Sequence, residues 1–262
     1  MRLSSIVPAF VVLAAAGSAF GAIEEFNYTG PSLFGQSGGS TSGSIAWTGA
    51  WGDVGFGTSM GINPISIGTV STETSTSAVA EFGLGSPSFD SRRGFTSTSG
   101  ATDLYIWGLV RINHFNTANS YGGIGLFNGG GEFFLIGQTY QSANWGFATT
   151  IGGGSNGDTG IAIQSGVTAL LVARLNQVTG TMSMWVNPNL AGPETAPNAT
   201  AFVGLGATVD TVALRGGQAN NGNNWQFDNL HVERGSPFNV PTPGAAALVG
   251  LGTLAAARRR RA

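Results

Sequence analysis

The chain of 262 residues lacks both cysteine and lysine. Without cysteine it forms no disulfide, offers no thiolate nucleophile and holds no cysteine-ligated zinc or iron–sulfur site. Charged residues make up only 9% of the sequence, and histidine occurs at two positions, His114 and His231. If such a chain is exported, it must keep its fold by core packing alone or with help from a metal ion.

Basic residues are scarce in the body of the chain and concentrated at its ends. Arg2 lies at the start and Arg258–Arg261 lie at the end, so residues 23–236 contain six arginines against 13 acidic residues, a net charge of −7. A mildly acidic body argues against a nucleic-acid partner. The terminal arginines stand where targeting machinery or a membrane would meet them.

Glycine is present in excess. The sequence has 43 Gly, together with 16 Phe and 6 Trp. A glycine-rich composition without a period is typical of disorder, but the aromatic and branched residues between these glycines can bury a large core. The combination favours short strands joined by glycine-rich turns, and therefore an all-β protein.

Alternating apolar side chains predict about ten to fourteen short strands. The segment from Leu104 to Asn113 is apolar on both faces, which indicates a central strand between two packed layers. Turn residues at 128–131 and 177–180 predict two hairpins. In the last predicted strand the apolar residues change from odd to even positions, which predicts a β-bulge near Asp228-Asn229. We predict an antiparallel jelly-roll β-sandwich. A β-helix is the rival architecture, but it needs an internal repeat that the sequence does not show.

Both ends of the chain have the pattern of targeting segments. Residues 1–22 combine a charged start, an apolar run from Ile6 to Ala16 and small residues for cleavage, which predicts a signal peptide. A buried N-terminal helix is the alternative, and Pro8 suits it poorly. Residues 237–262 form a predicted tail, so that the sandwich domain is expected to span residues 23–236.

The tail has three parts: a proline pair, an apolar run and an arginine cluster. The run from Gly244 to Ala257 has 14 residues, roughly 21 Å as a helix, whereas a bilayer core of about 30 Å needs about 20 residues. The predicted C-terminal hydrophobic helix is therefore marginal as a permanent span and favours a transient membrane stop, with the arginines on the cytoplasmic side. A soluble Ala-rich helix is the alternative.

The tail resembles the PEP-CTERM sorting signals of exported bacterial proteins. The residues that carry this resemblance are Pro241, Thr242, Pro243, Arg258, Arg259, Arg260 and Arg261, with Thr242 where the family has Glu. The resemblance implies export to the cell envelope, outer surface or extracellular matrix. It also implies processing by an exosortase-like membrane enzyme.

The body resembles the concanavalin A-like, laminin G-like jelly rolls. The matching segments are Glu25–Tyr28 with Gly38, Gly39 and Trp47 at the start, and Trp225–Val232 at the end. The resemblance implies that the first and last strands lie side by side, so that the tail leaves near the N-terminus. It implies a fold rather than an activity.

The sequence shows no set of catalytic side chains. Neither histidine lies near a Gly-x-Ser-x-Gly nucleophile. Glu24 and Glu25 are adjacent, so their side chains point to opposite faces of a strand, and Glu132 has no acidic neighbour. A glycosidase needs two carboxyl groups in one cleft. We therefore predict a protein that is not an enzyme.

Two sets of residues are candidates for binding. Trp47, Trp51, Trp145 and Trp225 are candidates for stacking on sugar rings, although aromatic residues in glycine-rich loops commonly plug the end of a sandwich. Asp158 and Asp228 are weak candidates for calcium, which accepts oxygen ligands from flexible loops. Asparagine and glycine in such loops also serve turns, and Asp228 is expected to bond backbone groups at the predicted bulge.

Three functions follow from these observations. The first is a non-enzymatic exported surface or matrix protein that is delivered by its tail and contacts extracellular polysaccharide. The second is a carbohydrate-binding, lectin-like module, and the third is a glycoside-active enzyme on the same fold. The predicted partners are the processing enzyme, polysaccharide and, through the tail, a membrane.

Overall fold

The computed structural model describes residues 21–41, 45–54, 60–76, 78–82, 88–98, 103–116, 120–149, 157–204, 206, 208–217 and 224–239. Most of the predicted signal peptide and almost all of the predicted tail, including the sorting motif and the arginine cluster, lie outside these residues. Within them, no helix is long and apolar enough to cross a membrane.

The described chain consists of strands joined by turns and loops. In chain order the strands are β1 (Gly21–Glu24), β2 (Ser40–Thr41), β3 (Gly52–Asp53), β4 (Gly61–Asn63), β5 (Thr69–Val70), β6 (Glu73–Thr74), β7 (Val79–Phe82), β8 (Ser88–Thr98), β9 (Asp103–Ile112), β10 (Tyr121–Asn128), β11 (Gly131–Gln138), β12 (Asn144–Thr149), β13 (Gly157–Ala162), β14 (Thr168–Asn176), β15 (Thr181–Val186), β16 (Ala199–Phe202), β17 (Val209–Gly217) and β18 (Trp225–Glu233).

Two large antiparallel sheets form a sandwich. The first sheet has the order β16-β15-β14-β9-β18-β1-β2, with β7 paired to β18 and β4 paired to β7. The second sheet has the order β13-β12-β11-β10-β17-β8-β3, and β5 and β6 form a small separate pair. The all-β antiparallel prediction is confirmed, and β1 pairs with β18 as the resemblance implied.

The predicted central strand is β9, which lies between β14 and β18. Its residues Leu104, Ile106, Val110 and Ile112 enter the core between the sheets. Tyr105, Trp107 and Leu109 belong to a second apolar cluster on the outer face of the first sheet. A strand that is apolar on both faces is therefore covered on both faces, as its pattern predicts.

The outer face of the first sheet is covered by the chain itself. Ile67, Leu190 and Phe238 come from loops and from the segment after β18, and they pack on this face. The ring of Phe238 lies 5.4 Å from that of Trp185, and the Asn239 amide donates to the carbonyl of Gly192 at 2.9 Å. The chain therefore stays on the sandwich through Asn239, three residues beyond the predicted domain end.

The predicted turns and bulge are present. The hairpin of β10 and β11 turns at Gly129 and Gly130, both with positive φ, and that of β14 and β15 turns at 177–180. The register of β18 against β9 shifts after Asp228, and Asn229 has a φ of 46°.

At the other end of the domain, Gly21 and Ala22 already belong to β1, so the predicted signal-peptide boundary falls within this strand.

Candidate functional site

An open cleft lies on the outer face of the second sheet. It has a volume of about 240 Å³ and is lined by Tyr121, Glu132, Leu135, Tyr140, Ala148 and Arg215. These residues come from β10, β11, β12 and β17 and from the turn after β11. Their strand neighbours of opposite parity, such as Ile124, Ile136 and Leu214, enter the core, so the cleft faces away from it.

The floor of the cleft is apolar. Gly125 lies opposite Leu135 on one side and Ala213 on the other, and Leu135 lies opposite Ala148. A row of four neighbouring strands therefore presents two alanines, a glycine and only one large side chain. Of these residues, Leu135 and Ala148 line the cleft, whereas Ala213 is fully buried and a Cβ on Gly125 would lie 3.1 Å from the ring of Phe127.

Two paired glycines shape the same part of the sheet. Gly123 of β10 and Gly137 of β11 face each other, with φ values of 145° and 149°. A Cβ atom on Gly137 would lie 2.2 Å from the carbonyl oxygen of Gly122, so no other residue fits there without movement of the backbone. Glycine kinks of this kind give a sheet local curvature.

Two arginines and two carboxylates border the cleft. Arg92 donates from two nitrogens to the two oxygens of Asp90, each at 2.8 Å. Arg215 donates to Glu132 at 2.6 Å, and its Nε lies 4.0 Å from Asp90. The guanidinium carbons lie 3.8 and 5.7 Å from the ring centroid of Phe127. The four charges balance, and their side chains are only 15–18% exposed.

Burial and the neighbouring charges act in opposite directions on this network. Burial raises the pKa of Glu132 above its ordinary value, although Arg215 opposes this effect. Burial alone would lower the pKa of Arg215, but Glu132, Tyr121 and Asp90 raise it instead. Arg215 is therefore a permanent cation, and it favours the ionised form of Glu132 against the effect of burial.

Tyr140 gives the cleft an exposed aromatic side chain. It is 63% exposed, the largest fraction among the exposed large apolar and aromatic side chains of the described residues. The Arg215 side chain also reaches the hydroxyl of Tyr121, at 3.4 Å. The cleft thus combines an aromatic face, an apolar floor and a mixed set of hydrogen-bond donors and acceptors. This combination suits a ligand with both C–H faces and hydroxyl groups.

The tryptophans proposed for sugar stacking lie elsewhere. Trp51, Trp145 and Trp225 are 1–3% exposed and belong to the core between the sheets. Trp47 is half-buried, with its Nε1 donating to the carbonyl of Ile23 at 3.2 Å and its ring under Arg93. The three buried rings offer no face to a sugar. Burial of these large apolar rings stabilises the folded protein more than their exposure to solvent would.

The weak calcium candidates are engaged in hydrogen bonds. Asp228 is fully buried and accepts bonds from Ser75 Oγ, Thr76 N and Asn229 N at 2.7–2.8 Å. It bonds backbone groups at the bulge as predicted, and burial raises its pKa to about 6. Asp158 is exposed and accepts from Gly160 N at 2.7 Å. No group of three or more His, Asp or Glu side chains in the described part of the chain is placed to hold a metal ion.

Neither histidine lies at the cleft. His231 is on the outer face of the first sheet, where its ring stacks on Trp107 at 4.3 Å. Its nitrogens lie 3.2 Å from Glu233 and 3.5 Å from Glu73. Burial alone would lower its pKa, but these carboxylates raise it to about 9. His114 is exposed after the end of β9.

Sequence reasoning missed the cleft. Glu132 has no acidic neighbour in the sequence, but it meets Arg215, 83 residues away. One signal in the sequence was available. Tyr121 and Leu135 alternate with core residues along the two strands of the β10–β11 hairpin, so their side chains must lie on the opposite face of the sheet from the core. That argument identifies a face of the sheet but not the strand β17 that completes it.

No protein-family model matches the chain, and no curated protein matches it. Among solved structures, it is similar to the catalytic domain of a glycoside hydrolase family 131 protein from Coprinopsis cinerea. The TM-score is 0.50 at 12% identity, over 84% of this chain and 97% of that chain.

Two further structures have lower TM-scores. One is the globular domain of T. cruzi calreticulin, with a TM-score of 0.47 at 12% identity, over 71% of this chain and 84% of that chain. The other is an alginate lyase from Corynebacterium sp., with a TM-score of 0.42 at 9% identity, over 59% of this chain and 75% of that chain. At 12% identity, the likeness to the family 131 structure shows the fold alone, a jelly-roll-like β-sandwich.

Proposed function

We propose that this protein is an exported bacterial surface or matrix protein whose β-sandwich binds an extracellular glycan without chemically changing it. The observation that carries the proposal is the cleft on the second sheet. There, the exposed ring of Tyr140 and the Glu132–Arg215 pair line one cavity together with the apolar side chains of Leu135 and Ala148. An aromatic face next to charged hydrogen-bonding groups is an arrangement that suits a sugar ring.

The position of Asn239, the last described residue, supports display of this cleft. The chain leaves the described sandwich at Asn239, next to Gly192, where Phe238 packs on the outer face of the first sheet. The cleft lies on the outer face of the other sheet, across the core. If an exosortase-like enzyme or a membrane holds the chain close to Asn239, the cleft on the other sheet faces away from it and stays open to polysaccharide.

The pairing of the carboxylates supports binding rather than hydrolysis. A glycosidase needs one protonated and one ionised carboxyl group. Here Asp90 is held by two hydrogen bonds from Arg92, and Glu132 is held by Arg215. Each carboxylate is thus bound to an arginine within the protein, which opposes a role as proton donor to a leaving group. The raised pKa of Glu132 is the one feature that favours a glycoside-active enzyme.

Glycan binding is tested with the full chain on a glycan array and by calorimetry. Tyr140→Ala is expected to lower affinity at least about fivefold, because an aromatic stacking contact contributes roughly 1–3 kcal/mol. Phe202→Ala is the matched control, since Phe202 is 59% exposed but lies in β16 of the first sheet. Absence of binding, or equal loss in both variants, contradicts the proposal. Release of new reducing ends from a bound glycan favours the enzyme instead.

Delivery is tested by cell fractionation of a chain that lacks residues 240–262. This deletion keeps Phe238 and Asn239, which pack on the sandwich, so the domain is expected to fold. Loss of the protein from the cell envelope supports the sorting role of the tail. Unchanged localisation contradicts it.

A further inference from the structure

The charges around the cleft are already paired within the protein. Arg92 uses two nitrogens on Asp90 and a third on the carbonyl of Gly130, at 3.3 Å. Arg215 uses its terminal nitrogens on Glu132 and on the hydroxyl of Tyr121. Neither guanidinium therefore has its full set of donors available for an anionic ligand.

An acidic ligand would also meet like charge. A carboxylate or sulfate that approached Arg215 would lie beside Glu132, which is 2.6 Å from the same guanidinium, and near Asp90, which is 4.0 Å from its Nε. A ligand anion on this guanidinium would therefore lie close to both carboxylates, and neighbouring like charges repel strongly where solvent is partly excluded. The cleft thus opposes an acidic sugar although it contains an arginine.

Hydroxyl groups match the same residues without conflict. A hydroxyl donates to a carboxylate and accepts from a guanidinium or a phenol. Glu132, Arg215 and Tyr121 line one cavity, so neighbouring hydroxyls of a sugar can satisfy all three while the ion pair stays intact. Uncharged polyols are the ligand class that requires no charge to be displaced.

The dimensions of the cleft limit how much of a ligand enters it. Its volume of about 240 Å³ lies below the roughly 300–1,000 Å³ of sites for drug-sized molecules. Tyr140 stands at its margin with 63% of its surface exposed. This space suits one sugar ring with its C–H face on Tyr140, while the rest of a polymer lies outside.

We infer that the cleft is selective for a single uncharged sugar unit of a glycan and discriminates against uronate and sulfated units. This inference rests on the proposed glycan-binding function and adds its ligand class. The discriminating residue is Glu132, which accepts the hydroxyls of a neutral sugar and repels the carboxylate of an acidic one.

The test uses pairs of polymers that differ only in charge. Calorimetry with the full chain compares each of several polyuronates with the same polymer after reduction of its carboxyl groups to primary alcohols, alongside neutral glucan, mannan and galactan. We expect the neutral polymers that bind to do so at least about tenfold more tightly than any acidic counterpart. Equal or tighter binding of an acidic polymer overturns the inference but leaves glycan binding in place. No binding to any polymer overturns both.

Glu132→Gln provides a second, independent readout. The substitution keeps the size of the side chain and removes the negative charge, so the preference for neutral over acidic polymers is expected to fall at least about tenfold. Phe202→Ala serves as the control with an unchanged preference. An unchanged preference in Glu132→Gln, with the neutral polymer still bound, overturns the assignment of Glu132 as the discriminating residue.

Discussion

Removal of the buried carboxylate of Glu24 is expected to cost a large part of the stability of the sandwich. Glu24 is 1% exposed and accepts hydrogen bonds from Phe26 N at 2.9 Å, Tyr28 Oη at 2.6 Å and Trp51 Nε1 at 3.1 Å. It also forms an ion pair with Arg93, which is 3% exposed and donates to two backbone carbonyls. These contacts join β1 of the first sheet to β8 of the second.

The magnitude follows from the guanidinium that Glu24→Ala would leave behind. Loss of one partner of a buried ion pair costs about 3–5 kcal/mol, because the remaining charge has no compensation. Small domains have only about 5–15 kcal/mol in total. Urea unfolding followed by tryptophan fluorescence measures the change in free energy. Adding Arg93→Met to Glu24→Ala removes the unpaired charge and is expected to recover part of the loss.

The control is an ion pair of similar length at the surface. Arg174 and Glu194 lie 2.6 Å apart, but their side chains are 28–29% exposed. Glu194→Ala is expected to cost about 1 kcal/mol or less, since solvent screens the remaining charge. If Glu24→Ala costs no more than Glu194→Ala, the argument that the Glu24 pair holds the two sheets together is refuted.

Two further predictions concern the stability of the sandwich. The pKa of His231 is raised from 6.5 to about 9, so its contribution of about 3 kcal/mol is fully present below pH 6.5 and is lost as the pH rises through 9. The melting temperature of the wild type should therefore fall across this window more than that of His231→Gln, and equal falls would contradict the prediction. Gly137→Ala should cost at least about 2 kcal/mol in urea unfolding, because its Cβ would meet a backbone oxygen at a φ of 149°. Gly235→Ala, which meets nothing within 4 Å, should be nearly neutral, and a similar cost in both variants would refute the steric argument.

Local patterns in the sequence predicted the strands and turns because their causes are local. The two-sided apolar pattern of Leu104–Asn113 fixes a central strand, and the turn at Gly129-Gly130 needs positive φ. The parity change around Asp228 marks the bulge, since a strand that buries both Phe227 and Leu230 must shift its register. Each of these features follows from neighbours within a few residues.

The cleft and the ring positions depend on partners that are distant in the sequence. Glu132 acquires its role from Arg215 in another strand, and composition does not reveal that pairing. The tryptophans illustrate the same limit, because a ring in a glycine-rich segment fits either the core or the surface. Trp51 entered the core because the buried Glu24 accepts its Nε1 hydrogen, a contact that joins residues 27 positions apart. Export, processing of the tail and the absence of enzyme activity remain predictions.

The most direct test of the central proposal is a crystal structure of the full chain with a neutral oligosaccharide that it binds. The account predicts one sugar ring over Tyr140, with its hydroxyls within hydrogen-bond distance of Glu132 and Arg215 and with the Glu132–Arg215 pair intact. A sugar bound on the outer face of the first sheet, or bound in the cleft only after that pair has separated, would contradict it.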